Sequence, residues 1–274
     1  MSDDIDLTAV CTTYAGDDPR ELAASLDSIR DQSRPPEELV IVKDGPVPEG
    51  IEETIDLAED EAAFPVVVDE LSTNRGHGGA LKRGFQVASG EYVAIHDADD
   101  ICLEDRFRKQ LSVIDETGAD VVGGYIAEFE DDPAETHAVR EVPTEHENIV
   151  SMAKFRCPIN QTTVVARRSA VLRSGNYRAV DRMEDYELWV RMIQNGYRFR
   201  NLPDVVVKVR AGSEMYGRRG GLEYAREEIR IQRYFHEIGF ISFPRAVANT
   251  IVRLIPRLLP TSVRGALYQR WLRE

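Results

Sequence analysis

The first two thirds of the chain alternate short apolar runs with amphipathic segments. Runs of β-favouring residues bounded by turn residues predict strands over residues 7–14, 39–42, 65–68, 92–95, 120–125 and 161–166. Between these runs, apolar residues recur at helical spacing, and the first helix begins at an N-cap signature, Asp18-Pro19-Arg20-Glu21. Strands that alternate with helices in this way predict an α/β fold, with a mostly parallel sheet covered by helices on both faces.

The strand over residues 92–95 is followed by three closely spaced aspartates, Asp97, Asp99 and Asp100. If the chain turns after the strand, Asp97 and Asp99 can face one cation, because Mg²⁺ and Mn²⁺ prefer oxygen ligands and share them with phosphates. The alternative is a solvated acidic turn in which Asp100 caps a helix that begins near Leu103. We favour the metal site, because these carboxylates directly follow an apolar strand.

Tyr14 and Asp44 follow two other predicted strands, as Asp97 follows the strand over residues 92–95. In open α/β sheets, ligands bind outside the carboxyl ends of the strands, so we expect these three residues to border one crevice. The glycines at 76, 78 and 79 do not fit the Gly-x-Gly-x-x-Gly motif, and the sequence contains no P-loop motif. The sequence therefore argues against a dinucleotide-binding fold and against a P-loop.

A helix predicted near residue 184 begins with two acids, Glu184 and Asp185. Acids in the first turn of a helix interact well with its dipole, so capping is one interpretation. The other is that Asp185 faces the crevice and acts as a general base, taking a proton from a hydroxyl nucleophile. Upstream of this helix, the polar and acidic residues 127–148 predict a surface excursion across the sheet edge.

Composition limits the class of protein. The chain has 274 residues, 42% of them hydrophobic, which suffices for one large α/β domain or for a domain with an appendage. Its net charge of −14 argues against nucleic-acid binding, which depends on a basic surface. Three cysteines without Cys-x-x-Cys spacing, no signal peptide and no apolar run of 18 residues predict a cytoplasmic protein without a conventional transmembrane helix.

Residues 241–274 differ from the rest of the chain in charge, since six Arg and one Glu give this segment a net charge of +5. Apolar residues at helical spacing, among them Val247, Ile251 and Trp271, alternate there with the arginines. Basic amphipathic helices of this kind suit the plane of a membrane interface, which predicts a protein peripheral on the cytoplasmic face of the membrane. The alternative is a helical pair that packs on the protein's own core or on a second subunit.

Five ordered motifs resemble the inverting glycosyltransferases of family 2, which have the GT-A fold. The resemblance covers roughly residues 5–210 and rests on these segments: Thr13-Tyr14, Ile41-Val42-Lys43-Asp44-Gly45, Asn74-Arg75-Gly76 with Ala80-Leu81-Lys82-Arg83-Gly84, Ala88-Ser89-Gly90-Glu91-Tyr92 leading into Asp97-Ala98-Asp99-Asp100, and Met183-Glu184-Asp185-Tyr186-Glu187-Leu188-Trp189. Some positions depart from the family pattern: Ala15 stands where Asn is usual, Lys43 where Asp is usual, and Lys82-Arg83 where Arg-Asn is common.

The resemblance implies a role for the matching residues. Five of them would bind the nucleotide sugar, the first three by holding its base and ribose: Thr12, Tyr14, Asp44, Asn74 and Lys82. Asp97 would contact the nucleotide and, with Asp99, bind Mg²⁺ or Mn²⁺, and Asp185 would be the catalytic base. The segment 209–221 is similar to one in bacterial polysaccharide-building members, where Arg218 and Arg219 would close on the diphosphate as part of a mobile flap; an ordinary basic loop is the alternative.

The predicted function is metal-dependent transfer of a sugar from a nucleotide diphosphate sugar, with a UDP-sugar favoured, to a hydroxyl of a glycan or lipid-linked saccharide. The predicted organisation is a glycosyltransferase domain over residues 1–210, a flap and helix over 211–240, and basic amphipathic helices over 241–274. Three alternatives stay open: a carboxylate-based hydrolase of glycosides or sugar nucleotides, a sugar-1-phosphate nucleotidyltransferase, and a non-catalytic nucleotide-sugar-binding protein.

Overall fold

A computed structural model of the chain describes residues 5–178, 182–211 and 222–258. In this part of the chain, nine strands form one sheet. Their bounds are β1 Leu7–Thr13, β2 Glu38–Lys43, β3 Val66–Glu70, β4 Tyr92–Asp97, β5 Ile101–Cys102, β6 Val121–Phe129, β7 Thr136–Arg140, β8 Val165–Arg167 and β9 Phe199–Arg210. The strands lie in the order β3-β2-β1-β4-β8-β6-β9-β5, and β7 pairs with β6.

The sheet is parallel in one half and mixed in the other. β3, β2, β1 and β4 run parallel, since each is linked to the next along the chain by a crossover helix. β8 is antiparallel to both β4 and β6, β7 is antiparallel to β6, and β5 is antiparallel to β9, whereas β6 and β9 pair in parallel. The predicted α/β fold is confirmed, and the predicted parallel arrangement holds for the half that carries the candidate site.

Helices cover both faces of this sheet, as predicted. Their bounds are α1 Pro19–Arg30, α2 Glu49–Glu61, α3 His77–Val87, α4 Arg106–Thr117, α5 His146–Ala153, α6 Arg168–Arg173, α7 Glu184–Gln194, α8 Leu222–Glu237 and α9 Phe243–Leu258. The helix α1 begins at the predicted cap, where Asp18 Oδ1 accepts a hydrogen bond from Arg20 N at 2.8 Å. One apolar cluster includes Phe85 of α3 and Trp189 of α7, and a second cluster on the other face includes Phe107 of α4.

Three local predictions differ from the structure. Residues 161–163 form a 3₁₀ turn, so the strand predicted over 161–166 is shorter and spans Val165–Arg167. Residues 127–148 are more than a surface excursion: they complete β6, form β7 and begin α5, because hairpin pairing satisfies the backbone even where side chains are polar. The helix expected near Leu103 begins at Arg106, after Asp105 as its N-cap residue.

The two C-terminal helices, α8 and α9, pack on the rest of the protein. Their apolar residues, such as Phe235 and Ala246, form a buried cluster with Tyr186 of α7. The opposite side of α9 exposes Phe243 and Ile251 to solvent. In the described ranges, no helix combines the length and the apolar character needed to cross a membrane. One side of α9 therefore belongs to the protein core, and the other is apolar and exposed.

Candidate functional site

The carboxyl ends of β1, β2 and β4 lie side by side at one edge of the sheet. Thr12 of β1 pairs in register with Asp97 of β4 and with Val42 of β2. Asp44 directly follows β2, and its backbone N–H donates a hydrogen bond to Thr13 O at 2.7 Å. The structure therefore brings Asp44 and Asp97 to the same edge as the end of β1, which Tyr14 follows, as the sequence predicts for a parallel sheet.

After β4 the chain makes the predicted turn. The carbonyl of Asp97 accepts hydrogen bonds from Ser25 Oγ at 3.0 Å and from Asp100 N at 3.3 Å. The carboxylate of Asp100 is buried, and its Oδ1 accepts a hydrogen bond from Arg210 N of β9 at 3.1 Å. Asp100 thus holds the turn against β9 and does not cap a helix, because α4 begins only after Asp105.

A buried polar network supports this turn from inside the protein. Arg106 of α4 is fully buried and donates hydrogen bonds to Ile95 O at 2.7 Å and to Cys102 Sγ at 3.1 Å. His96 Nε2 lies 3.1 Å from Asp100 O, and burial lowers the pKa of His96 to about 3, so this ring is neutral at pH 7. Hydrogen bonds in a buried network polarise one another, which makes the turn rigid.

Carboxylates are crowded at this edge of the sheet. Burial raises the pKa of Asp99 to about 6, and the nearby charge of Asp97 adds to this rise. Burial also raises the pKa of Asp17, and Asp97 contributes again. The Oδ1 atom of Asp97 is buried and has no hydrogen-bond partner among the described residues. Like charges this close destabilise one another unless a cation lies between them.

Asp97 and Asp99 have the chemistry of a shared cation site, although the site is not a complete protein cage. Within the described residues, no group of three or more His, Cys, Asp or Glu side chains is arranged to hold a metal ion. Magnesium usually binds through one or two carboxylates plus substrate phosphates, so two aspartates, one of them with a carboxylate oxygen that accepts no hydrogen bond from the described residues, fit this pattern. The assignment of Mg²⁺ or Mn²⁺ to Asp97 and Asp99 stays a prediction.

His77, which sequence reasoning did not single out, lies within this site. It is the first residue of α3, with Nδ1 3.4 Å from Thr12 Oγ1 and Nε2 3.6 Å from Asp97 Oδ1. Gly76 before it has a φ of 75°, which glycine adopts at little cost and which lets the helix begin here. The available signal was a histidine at the end of a glycine-containing turn that follows a strand, but nothing local shows which strands its ring contacts.

Tyr14 projects from the carboxyl end of β1, and its side chain is 44% exposed. Its loop is fixed by Asp17, another residue that sequence reasoning missed. Asp17 Oδ2 accepts hydrogen bonds from Tyr14 N at 3.0 Å and from Thr13 Oγ1 at 2.9 Å. An exposed aromatic ring on a fixed loop is suited to stacking on a nucleotide base.

Asp44 and Asn74 both shape the segment that leads into α3. Asp44 Oδ1 accepts a hydrogen bond from Arg75 N at 2.6 Å, and Asn74 Oδ1 accepts one from Gly76 N at 3.1 Å. These contacts tie the end of β2 to the beginning of α3. Both residues, which are predicted to bind the nucleotide sugar, therefore also stabilise the local backbone.

Two residues that depart from the family pattern form ion pairs. Lys43 Nζ lies 2.9 Å from Glu52 Oε1 and 2.8 Å from Glu70 Oε2. Arg83 makes two parallel hydrogen bonds to Asp69, each 2.7 Å long. Lys43 and Arg83 therefore each form ion pairs that stabilise the structure near β2 and β3.

For three further residues that are predicted to bind the nucleotide-sugar donor, the structure gives little information about that role. Lys82 lies on α3 with its side chain exposed, and its carbonyl accepts a hydrogen bond from Asn176 Nδ2 at 3.0 Å. Arg218 and Arg219 lie outside the described residues. The predicted flap role of these two arginines therefore stays a prediction.

The N-terminus of α7 brings two acids to the site. Glu184 lies against α3 so closely that a Cβ atom on Gly78 would come within 2.9 Å of its Cγ. Burial raises the pKa of Glu184, and the charges of Asp185 and Asp97 add to this rise. Asp185 Oδ2 lies 3.7 Å from Cys157 Sγ. The structure thus places Glu184, the neighbour of Asp185 in the chain, near Asp97. The assignment of Asp185 as the base stays a prediction.

The family follows from comparison with known proteins. The model of a protein family described as glycosyl transferase family 2 matches residues 8–182. The chain belongs to this family. Membership favours transferase activity over the hydrolase, the nucleotidyltransferase and the non-catalytic binding protein.

Two family 2 relatives match the chain over almost its whole length. The amylovoran biosynthesis glycosyltransferase AmsE of Erwinia amylovora is 33% identical over 96% of this chain and 98% of its own. The UDP-Gal:alpha-D-GlcNAc-diphosphoundecaprenol beta-1,3-galactosyltransferase of Escherichia coli is 32% identical over 100% of this chain and 99% of its own. The chain is therefore a glycosyltransferase.

A solved structure shows the same fold. The mannosyltransferase PcManGT from Pyrobaculum calidifontis, in complex with GDP-Man and Mn²⁺, superposes with a TM-score of 0.64. The match covers 97% of this chain and 76% of the mannosyltransferase, at 18% sequence identity. At this identity the likeness establishes the GT-A fold.

Proposed function

We propose that this family 2 glycosyltransferase transfers a sugar from a nucleotide diphosphate sugar to a hydroxyl of a lipid-linked saccharide, with inversion at the anomeric carbon. The observation that carries the proposal is the Oδ1 atom of Asp97, which is buried beside Asp99 and accepts no hydrogen bond from the described residues. A UDP-sugar is the favoured donor, because the E. coli relative is named for UDP-Gal and for a GlcNAc-diphosphoundecaprenol acceptor.

The donor lies along the edge formed by β1, β2 and β4. The exposed ring of Tyr14 stacks on the base, and Thr12 and Asp44 at the neighbouring strand ends hold the base and ribose. The other donor contacts are assigned to Asn74 before α3, to Lys82 on α3 and, from the family resemblance alone, to Arg218 and Arg219. In this arrangement the diphosphate reaches the turn that carries Asp97 and Asp99.

The chain's own groups then account for transfer. Asp97 and Asp99 hold a divalent cation, and Mg²⁺ or Mn²⁺, when bound, neutralises charge that develops on the leaving diphosphate. Asp185 accepts the proton of the acceptor hydroxyl, whose oxygen attacks the anomeric carbon from the face opposite the diphosphate.

We also propose that the protein binds the cytoplasmic face of a membrane through α9. Phe243, Val247 and Ile251 recur every four residues on its exposed side, and each is at least 42% exposed. An apolar face with an exposed basic residue beside it, here Arg245, can enter the interface of an anionic membrane. A lipid-linked acceptor lies in the same membrane, so this orientation would bring its saccharide to the enzyme.

Calorimetric titration with UDP tests the proposed donor site. We expect UDP to bind at least tenfold more tightly with Mn²⁺ than without it, which corresponds to about 1.4 kcal/mol. A screen of nucleotide sugars by thermal shift then selects the donor for transfer assays. Equal binding with and without Mn²⁺, or donor hydrolysis that runs at full rate without any acceptor, would contradict the proposal.

A further inference from the structure

We infer that helix α9 positions the candidate base: Asn249 and Arg253 hold residues 153–157, and Cys157 at the end of this segment orients Asp185. The inference rests on the proposed role of Asp185 as the base. Residues 153–157 are called the capped segment below, because side chains from other helices cap their carbonyl groups.

The capped segment begins where α5 ends, and the last carbonyl groups of a helix have no partner within it. Here three successive carbonyl groups accept hydrogen bonds from side chains: Ala153 O from Tyr186 Oη at 2.6 Å, Lys154 O from Asn249 Nδ2 at 2.8 Å, and Phe155 O from Arg253 Nη1 at 2.8 Å. A guanidinium at the carboxyl end of a helix also interacts favourably with the helix dipole. Side chains of α7 and α9 thus form hydrogen bonds to the same short segment.

Contacts with α8 hold in place the two α9 side chains that bind the capped segment. Arg253 Nε lies 2.6 Å from Oε1 of the fully buried Glu228 on α8, and the Arg253 side chain is only 18% exposed. Asn249 Nδ2 also donates a hydrogen bond to Gln232 Oε1 at 2.9 Å. Because buried partners would lose their hydrogen bonds, moving either side chain is costly.

Cys157 links the capped segment to the base. Its single S–H has two acceptors within reach, Ile159 O at 3.4 Å and Asp185 Oδ2 at 3.7 Å from Sγ. Burial raises the pKa of the Cys157 thiol, and the charge of Asp185 raises it further, so the thiol stays protonated and acts as a donor. A thiol is a weak donor with one proton, and in this inference that proton points to Asp185 Oδ2 and orients this oxygen.

Cys157 and Met183, the residue before α7, also pack against the apolar cluster that includes Phe235 and Ile241. The apolar cluster therefore contacts two residues close to Asp185: Cys157, which is near it in space, and Met183, which is near it in the chain. The hydrogen bonds from α9 hold the segment that ends at Cys157. The exposed side of α9, which carries Val247 and Ile251, makes neither contact and can be changed independently.

The kinetic test uses Arg253→Met combined with Glu228→Gln, which removes the ion pair without leaving a buried charge unpaired. With UDP-galactose, Mn²⁺ and a water-soluble α-GlcNAc diphosphate bearing a short alkyl chain, we expect kcat to fall about tenfold or more, because small misplacement of a base is costly. The donor KM should stay within about twofold of the wild-type value, since α9 does not contact the donor edge.

Three further variants complete the test. Asn249→Leu should also lower kcat, and it replaces the double variant in this test if the double variant does not fold. Arg253→Lys keeps a donor for Phe155 O and should recover most of the activity. Ile251→Ser, on the exposed side of α9, should leave both kinetic constants unchanged with the soluble acceptor. A wild-type kcat in the double variant, or a donor KM that rises in step with the loss of kcat, would overturn the inference.

Hydrogen exchange measures the same linkage without an acceptor. Amides of the capped segment and of residues 184–187 should exchange faster in the double variant than in the wild type or Ile251→Ser. Unchanged exchange at residues 184–187 would overturn the inference. A wild-type chain that transfers no sugar from any nucleotide sugar would contradict the proposed function instead, and the exchange comparison alone would then decide whether α9 holds the first turn of α7.

Discussion

His77 Nε2 lies 3.6 Å from Asp97 Oδ1, and the other nitrogen of the same ring lies 3.4 Å from Thr12 Oγ1. One imidazole therefore joins the beginning of α3 to the carboxyl ends of β1 and β4. The ring is 38% exposed, so it borders the edge at which the donor is proposed to bind. We therefore expect His77 to contact the nucleotide-sugar donor, a contact that the family motifs did not indicate.

We expect His77→Ala to raise the donor KM about tenfold and to change kcat at saturating donor by less than about threefold. A tenfold effect equals about 1.4 kcal/mol, close to the net value of one hydrogen bond. Initial rates at varied donor concentration measure both constants. His137→Ala, in the hairpin strand β7, is the matched control, and an unchanged KM in the His77 variant would exclude this contact.

Asp99→Asn should abolish transfer and remove the dependence of UDP binding on Mn²⁺. The substitution keeps the size of the side chain but removes a charged oxygen ligand, which a hard cation requires. Titration with UDP at several Mn²⁺ concentrations measures the loss. Asp115→Asn, at an exposed position of α4, should behave as the wild type. Retained metal dependence in the Asp99 variant would remove Asp99 from the proposed site.

Asp185→Asn should lower kcat by roughly 10² to 10⁴, the usual contribution of a general base, and leave Mn²⁺-dependent UDP binding intact. Glu184→Gln should lower kcat less, because Glu184 packs against Gly78 of α3 and is not the proposed base. Single-turnover rates and UDP titrations of both variants measure this difference. If the larger loss occurred in Glu184→Gln, the base would be Glu184.

The sequence predicts the half of the fold that carries the site, because apolar runs at β1, β2 and β4 are buried on both faces and stand out from their neighbours. It also predicts the turn at Asp97, since these acids directly follow such a run. β7 gives no such signal, because its residues are exposed or half-buried and so show no hydrophobic period.

Other parts of the site depend on contacts between distant residues. Cys157 lies 28 residues before Asp185 in the chain, and His77 lies 65 residues after Thr12. No local pattern encodes such a contact, because it is made only when helices dock on the finished sheet. The proposed roles of Asp99 and Asp185 were predicted from the residues around them and from the family resemblance, whereas the contacts of His77 and Cys157 required the packed structure.

Stability should depend on pH through the ion pair between Asp69 and Arg83. Hydrogen bonds from the Arg83 guanidinium lower the pKa of the Asp69 carboxyl below its ordinary value, so the pair stabilises the folded state above roughly pH 4. This contribution is lost as the pH falls through the lowered pKa of the folded state. It is worth less than about 1 kcal/mol, because Arg83 is 44% exposed.

Urea unfolding of Asp69→Asn and of the wild type at pH 7, 4 and 3 measures this effect. The difference in free energy of unfolding between the two proteins should be largest at pH 7 and should shrink towards zero as the pH falls. Asp56→Asn, at an exposed position of α2, is the control and should show no such convergence. A difference that grows at low pH would have the wrong sign for this ion pair.

Membrane binding through α9 can be separated from packing of α9 on the protein. Val247 and Ile251 are 42% and 55% exposed, so replacing both with Ser should not affect folding. We expect the double variant to bind anionic vesicles at least tenfold more weakly, since a tenfold change needs only about 1.4 kcal/mol, less than the value of burying two aliphatic side chains. Leu57→Ser, at an equally exposed apolar position on α2, is the matched control.

Vesicle flotation measures partitioning of these variants onto the membrane, and sedimentation measures their oligomeric state. Unchanged vesicle binding with a shift from dimer to monomer would assign this face of α9 to a second copy of the chain.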